Sequence, residues 1–193
     1  MANSSKKQNT QKLSAESWLD AALQVLAEQG LQAVAVEPLA KKLGVTKGSF
    51  YWHFKNRNAL ITSLLAFWED IEVKYISEYK QSYEDPQVFL KEALNILIAD
   101  ETNRRVFLHL SNHLGDHEVK SAYEHAVIRR LDLFSEAYAQ MGMSKKPAKE
   151  KALSTYCGYF GLIKLIVDGT EGVLTSALQT RLIKQEIEQA LEI

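Results

Sequence analysis

The sequence is poor in the residues that cross-link or interrupt a chain. It contains one cysteine, Cys157, with three prolines and nine glycines among 193 residues. A single cysteine excludes an internal disulfide framework and suits a reducing compartment. The sequence also lacks a long uncharged apolar run and a signal-peptide pattern, so nothing in it predicts a membrane span or secretion. We therefore expect a cytoplasmic protein without a membrane partner.

The composition is that of a globular protein whose charge is unevenly distributed. Hydrophobic residues make up 46% of the chain and charged residues 24%, which allows a sizeable buried core. Residues 1–58 hold eight Lys/Arg and four Asp/Glu, a net charge of +4, whereas the rest of the chain carries −5. A basic N-terminal part on an acidic body predicts phosphate binding at one end of the molecule.

Residues 37–54 predict two short helices joined by a tight turn. Leu39 and Leu43 lie on one apolar face of the first helix, and Gly44 follows where a helix end favours positive φ. Thr46 is a suitable N-cap for the second helix. Two helices with a short glycine-containing turn form a helix-turn-helix, whose second helix enters the major groove of DNA.

The second of these helices carries the candidate DNA-binding residues. Phe50 and Phe54 are four residues apart and are expected to face inward. The alternative is that all the aromatic residues here form a core cluster. Four successive helical residues span more than one turn, however, so some of them must be exposed. The long helix expected from residue 57 adds a positive N-terminus for a phosphate. The predicted DNA-binding residues are Thr46, Lys47, Ser49, Tyr51, Trp52, His53, Lys55 and Arg57.

This stretch resembles the DNA-binding domain of TetR-family transcriptional regulators. The resemblance covers roughly residues 14–65 and is carried by the run GVTKGSFYWHFKNRNALI. It implies a three-helix DNA-binding domain, followed by a divergent helical domain that binds a small-molecule effector and forms a homodimer. It further implies two recognition helices on a near-palindromic operator of double-stranded DNA.

Periodicity predicts an all-α protein divided into three parts. Residues 1–13 form a polar, disordered tail, residues 14–58 the DNA-binding domain, and residues 59–193 the ligand-binding and dimerisation domain. The lysines of the tail are alternatively an arm that reaches a DNA groove. Asn56 and the pair Asp85-Pro86 are helix-start signals. Helices are predicted near residues 14–29, 57–82, 86–100, 102–114, 117–141, 147–170 and 175–192.

Two C-terminal helices are the candidates for a dimer interface. Residues 152–167 are apolar on nearly every face, which is typical of a helix that is buried or covered by a partner. The last helix carries a leucine- and isoleucine-rich stripe that includes Leu182 and Ile187. These helices and their symmetry mates would form a four-helix interface. The alternative is an intramolecular core.

The middle of the chain suggests a ligand pocket between the long helices. Aromatic bulk with a few polar groups is typical of small-molecule sites. His109 and His113 also have the spacing of a metal-chelating pair, with His117 nearby, but no cysteine or carboxylate completes the set, and no metal is predicted. The predicted ligand-binding residues are Trp68, His109, Asn112, His113, Tyr123, Phe134, Tyr156 and Phe160.

Together these patterns predict a dimeric repressor released from its operator by a small molecule. Two alternatives stay open: a metal-responsive regulator of the same fold, and an all-helical enzyme. We expect no enzymatic activity and no cofactor, because the sequence contains no nucleophile–base pair, no phosphate-loop glycine run and no paired acids in a plausible site.

Overall fold

A computed structural model of the protein describes residues 13–170 and 172–193, so most of the predicted N-terminal tail lies outside it. The described residues form helices joined by short turns, with no strand among them, and the predicted all-α class is confirmed. None of the described helices is both long enough and apolar enough to cross a membrane. A short 3₁₀ turn covers Leu31–Ala33, and the α-helices are α1 (Ala15–Gln29), α2 (Val36–Leu43), α3 (Lys47–Phe50), α4 (Arg57–Ser82), α5 (Pro86–Ala99), α6 (Glu101–Ser111), α7 (His117–Gln140), α8 (Lys145–Val167) and α9 (Ser176–Leu191).

Side-chain caps fix several helix starts where the sequence predicts them. The Ser14 hydroxyl accepts a hydrogen bond from the Ser17 N–H at 3.2 Å at the start of α1. The Asn56 side chain accepts from the Ala59 N–H at 2.9 Å at the start of α4. Asp85 caps α5, whose first residue is a proline. Each cap satisfies an amide that the helix itself leaves without an acceptor.

Other helix ends differ from the predicted ones by a few residues. The helix predicted near residues 102–114 runs from Glu101 only to Ser111, because the chain turns over the next four residues. Asp116 then accepts hydrogen bonds from the amides of Glu118 and Val119 and starts α7. Helix α8 begins at Lys145, two residues before its predicted start, and ends three residues before its predicted end.

Helices α1, α2 and α3 pack as one small module. The fully buried rings of Trp18 and Phe50 meet edge to face, with centroids 5.4 Å apart. Gly44 ends α2 in the left-handed conformation, with φ 68°, as the sequence predicts. Helix α3 is shorter than predicted and ends at Phe50, but the Phe54 N–H still donates to the Phe50 carbonyl at 3.0 Å. The second element of the helix-turn-helix therefore continues beyond α3 as a single hydrogen-bonded turn.

Helix α4 connects this module to the rest of the protein. It is 26 residues long, and its first turn packs at the base of the module. The Arg57 guanidinium donates from Nε to the Val34 carbonyl at 2.7 Å and from Nη2 to the Leu31 carbonyl at 2.8 Å. These bonds fix the start of α4 to the segment between α1 and α2.

Helices α5 to α9 form the body around α4. Helices α7 and α8 pack along each other, and α9 closes over α5 and α8. The buried Tyr138 hydroxyl lies 2.8 Å from the Ala190 carbonyl, to which it donates, and 2.6 Å from the Thr155 hydroxyl. Tyr138 thus connects α7 with both C-terminal helices. Helix α1 also packs against α6, so the module and the body share an interface.

Replacing Arg57 by alanine should destabilise the fold. The substitution leaves two half-buried carbonyls without their charged donors, at an expected cost of roughly 2–4 kcal/mol in the free energy of unfolding. Urea denaturation followed by circular dichroism measures this difference. Lys55→Ala, an exposed change two residues away, is the matched control and should shift stability by less than about 0.5 kcal/mol. Equal stability of the two variants would contradict the anchoring role of Arg57.

Candidate DNA-binding surface and ligand cavity

The turn after α3 exposes two neighbouring aromatic side chains. Tyr51 is 62% exposed and Trp52 81% exposed, whereas Phe50 and Phe54 are buried in the module core. The sequence prediction of inward phenylalanines and outward Tyr51 and Trp52 therefore agrees with the structure. Two large exposed aromatic residues at the end of a short helix are typical of a binding surface.

Polar residues surround these aromatic side chains. Thr46, Lys47 and Lys55 are exposed, and Ser49 and His53 are half-buried. Lys47 forms an exposed ion pair with Glu37, with 3.0 Å between Nζ and Oε1. Exposed pairs of this kind contribute little free energy, so a phosphate can displace Glu37 from Lys47. The surface thus presents cations, hydroxyls and aromatic edges together, as a DNA-binding surface does.

Arg57 has a different environment from the other predicted DNA-binding residues. Two of its nitrogens bond the carbonyls of Leu31 and Val34, and its side chain is half-buried. The guanidinium therefore stabilises the module from within. Contact between Arg57 and a DNA phosphate stays a prediction.

The predicted ligand-binding residues do not form one pocket in the structure. A cavity of about 130 Å³ lies between α4, α5, α6 and α7, and Trp68 is the one predicted ligand residue on its wall. The cavity wall is mostly apolar, with a few polar residues at one end. It comprises Leu23, Trp68, Ile71, Glu72, Tyr75, Ile76, Tyr79, Phe89, Ala93, Ile96, Leu97, Asp100, Thr102, Asn103, Val106, Arg130 and Leu133.

Four of the predicted ligand residues belong to an aromatic core instead. Tyr123 stacks on Phe107 at 4.6 Å between centroids, and Phe160 meets the same ring edge to face at 5.9 Å. Tyr156 stacks on Phe160, and Phe134 is fully buried elsewhere in the core. Burial raises the pKa of the Tyr156 hydroxyl, so this group stays neutral. Helical periodicity placed these residues inside the body but did not distinguish core from cavity.

The remaining three predicted ligand residues lie at the end of α6. The His109 ring packs against Gly30 of the module, and burial lowers its pKa. The His113 Nδ1 lies 2.8 Å from the His109 carbonyl oxygen, in the turn that follows α6. Asn112 and His113 line an open, polar cleft between that turn and the start of α4. Across residues 13–170 and 172–193, no three His, Cys, Asp or Glu side chains cluster as metal ligands would.

The polar end of the cavity is a hydrogen-bonded network centred on Glu72. The Trp68 indole donates to the Asn103 Oδ1 at 2.8 Å, and the Asn103 amide lies 3.4 Å from Oε1 of Glu72. Arg130 also donates to this Oε1, and Arg129 donates to Oε2 at 3.1 Å. Both carboxylate oxygens of a nearly fully buried glutamate are thus occupied by donors from α6 and α7.

Arg130 is the most deeply buried cation of the network. Its guanidinium carbon lies 4.0 Å from the centroid of Phe107, a cation–π contact. Burial opposes the charged form, but the Glu72 carboxylate and the nearby hydroxyls of Tyr159 and Tyr156 together outweigh it, so the pKa of Arg130 stands above its ordinary value. Within the described part of the chain, its Nε and Nη1 are buried without a hydrogen-bond partner.

The sequence contains a signal for part of this cavity. Trp68, Ile71, Tyr75 and Tyr79 recur at helical spacing along α4, and all four line the cavity. Burial, with a hydrogen bond to Tyr83, raises the pKa of Tyr79 to about 12. Glu72 and Arg130 had no such signal, because they are 58 residues apart and a charged residue on a helix is usually solvated.

Comparison with known proteins places the module in a family. Residues 19–64 match the family model described as bacterial regulatory proteins, tetR family. The chain is 30% identical to the HTH-type transcriptional regulator AcrR of Shigella flexneri over 102 residues, which are 49% of this chain and 46% of AcrR. It is 38% identical to the class D tetracycline repressor protein of Escherichia coli over 76 residues, 37% of this chain and 35% of the repressor. The match thus spans less than half the length of either curated relative.

The fold extends the likeness beyond the module. A transcriptional regulator from Saccharomonospora viridis, solved in complex with choline, superposes with a TM-score of 0.77 over 90% of this chain and 93% of its own. Its sequence identity is only 14%, so this likeness concerns the fold alone. The chain thus resembles the tetR family of bacterial regulatory proteins in the sequence of residues 19–64, and the solved regulator in its fold.

Proposed function

We propose that the protein is a homodimeric transcriptional repressor that leaves its operator when a small molecule occupies the cavity. The observation that carries this proposal is the path of α4. Its first residue, Arg57, anchors the DNA-binding module, and its segment from Trp68 to Tyr79 forms a wall of the cavity. A ligand that displaces this segment therefore moves a helix whose first residue is bonded to the DNA-binding module.

The switch operates through the distance between two modules. In a dimer, two recognition elements must reach major grooves one helical turn apart, at a spacing of about 34–36 Å. A ligand that favours a different tilt of α4 changes this spacing and lowers DNA affinity. The ligand shifts the balance only by the difference between its affinities for the two conformations.

An exposed apolar row on α8 supports the dimer. Leu153, Cys157, Gly161 and Leu165 recur at four-residue spacing and face solvent in the single chain, with Leu153 52% and Leu165 41% exposed. On α9 only Ile187 and Ala190 are buried within the chain, which leaves most of the predicted leucine stripe half-exposed. The two helices thus present apolar surface that a second copy would cover.

A regulator of the same fold, solved in complex with choline, supports a small-molecule effector for this protein. We also propose that the protein is not an enzyme and acts in the cytoplasm.

A metal-responsive regulator is the less favoured alternative, since His113 bonds a backbone carbonyl and does not combine with His109 into a ligand pair.

The proposal is tested by fluorescence anisotropy with a DNA duplex from the protein's own promoter region. The dimer should bind this duplex in preference to a shuffled duplex of equal length, and a panel of small molecules should include some that release it. Zinc alone should not release the duplex, and a chelator should not change the binding. Equal affinity for both duplexes, or release by metal alone, would contradict the proposal.

Removing an exposed aromatic side chain from the recognition element should weaken operator binding. Tyr51→Ala and Trp52→Ala should each reduce the binding free energy by about 1–3 kcal/mol, with little effect on the shuffled duplex, because each ring would meet base edges in the operator. Anisotropy titrations at fixed salt concentration measure the difference. Ile128→Ala, which truncates a 54% exposed side chain on α7, is the control and should bind as the unmodified protein does. Operator affinity unchanged in both aromatic variants would contradict the assigned surface.

A charge placed on the exposed row of α8 should dissociate the dimer. Leu165→Asp would bury an unpaired carboxylate between two copies, which is costly. Sedimentation at micromolar concentration should show a dimer for the unmodified protein and a monomer for the variant. Ile128→Asp, on an exposed face of α7, should stay dimeric. Leu165 is preferred to Ile187 for this test, because Ile187 is already buried within the single chain.

A further inference from the structure

We propose that the cavity selects a small apolar molecule with one hydrogen-bond-accepting oxygen at one end, and that Arg130 binds this oxygen. The proposal rests on the proposed role of the cavity as the effector site and specifies the chemistry of the effector. A carbonyl and a carboxylate share this chemistry, and both are included.

Three of the roughly four acceptor positions of Glu72 are already used. Its Oε1 receives Arg130 and Asn103, and its Oε2 receives Arg129. Asn103 in turn accepts the indole N–H of Trp68. A ligand that offers only donors therefore finds about one acceptor position left on Glu72, and a second donor would have to displace a buried, charge-assisted hydrogen bond.

The donor capacity of Arg130 is incompletely used. Its Nη2 binds Glu72, while Nε and Nη1 are buried with no acceptor among the residues the structure describes. Leaving a buried donor unpaired costs free energy, because the group has lost its hydration without a replacement. Since Arg130 lies on the cavity wall, a ligand oxygen in the cavity can supply the missing acceptor.

The rest of the cavity wall requires an apolar body. Aliphatic and aromatic side chains from five helices surround the space, and its volume of about 130 Å³ is close to that of a cavity that holds benzene, roughly 150 Å³. Ile71 and Tyr75 are partly exposed on this wall, which gives a ligand a route from solvent. A single-ring or short-chain molecule thus fits the space with its polar end at Arg130.

A cationic ligand is the competing possibility, and the polar end disfavours it. Arg130 and Arg129 both approach from α7, so a third positive charge there would meet like charges. Asp100, also on the wall, accepts the Asn103 N–H at 2.9 Å as the cap of α6. It is the acceptor that a cation would have to use.

Four probes with the same heavy-atom skeleton separate these possibilities: acetophenone, benzoate, cumene and benzamidine. They carry, in that order, a neutral acceptor, an anionic acceptor, no polar group and a cationic donor. Isothermal titration calorimetry on the protein without DNA should show acetophenone, benzoate or both binding at least about tenfold more tightly than cumene and benzamidine. The order of the first two distinguishes a neutral from an anionic effector.

Two substitutions and one control variant connect the binding preference to the cavity. Arg130→Lys keeps a cation for Glu72 but removes the unpaired guanidinium nitrogens, so the advantage of acetophenone over cumene should fall to less than about threefold. Arg105→Lys, the same change on an exposed face of α6, should leave that advantage intact. Ala93→Leu adds bulk to the wall and should weaken all bound probes alike; it provides a second test where Arg130→Lys does not fold.

Cumene binding as tightly as acetophenone and benzoate, tighter binding of benzamidine, or no binding of any probe would each overturn the proposal. Failure of the proposed repressor function has a different signature, since binding is measured here without DNA. Probes that bind with the expected preference but never release the operator would sustain the ligand chemistry and reject the switch.

Discussion

The pairing of Glu72 with two arginines is the interaction around which the body is arranged. A nearly fully buried carboxylate is tolerated only when opposite charges and hydrogen bonds replace its lost hydration. Glu72 lies on α4, Asn103 on α6, and Arg129 and Arg130 on α7, so satisfying this one charge fixes three helices relative to each other. The cavity is bounded by the same helices, and its polar end is therefore the place where the body holds α4.

The start of α4 is held by a comparable set of charged hydrogen bonds. Arg57 binds two carbonyls between α1 and α2, at the base of the DNA-binding module. One rigid helix is thus fixed by charged hydrogen bonds at the module and again beside the cavity. Local shifts at a ligand site become large at a distance when a packed element moves as a unit, because close-packed interiors transmit strain. This arrangement gives the proposed switch a defined mechanical path.

The sequence predicted the module in more detail than the body. Residues 39–54 carry local signals: an apolar face, a glycine that adopts φ 68° and two inward phenylalanines. The predicted set of ligand-binding residues was accurate only along α4, where Trp68 lies on the cavity wall. Tyr156 and Phe160 stack in the core instead. Apolar residues on the inner faces of helices look alike in sequence whether a neighbouring side chain or an empty space lies opposite them.

The sequence by itself determined the helical class, most helix starts and the exposed aromatic pair Tyr51 and Trp52, because caps, glycines and periodicity act within a few residues of the chain. The tertiary structure decided which residues surround the cavity and which charges are buried. The sequence predicts a DNA contact for Arg57, yet in the folded chain its guanidinium binds the carbonyls of Val34 and Leu31. Glu72 and Arg130 had no sequence signal because they are 58 residues apart, and only the packing of α4 against α7 removes both from water.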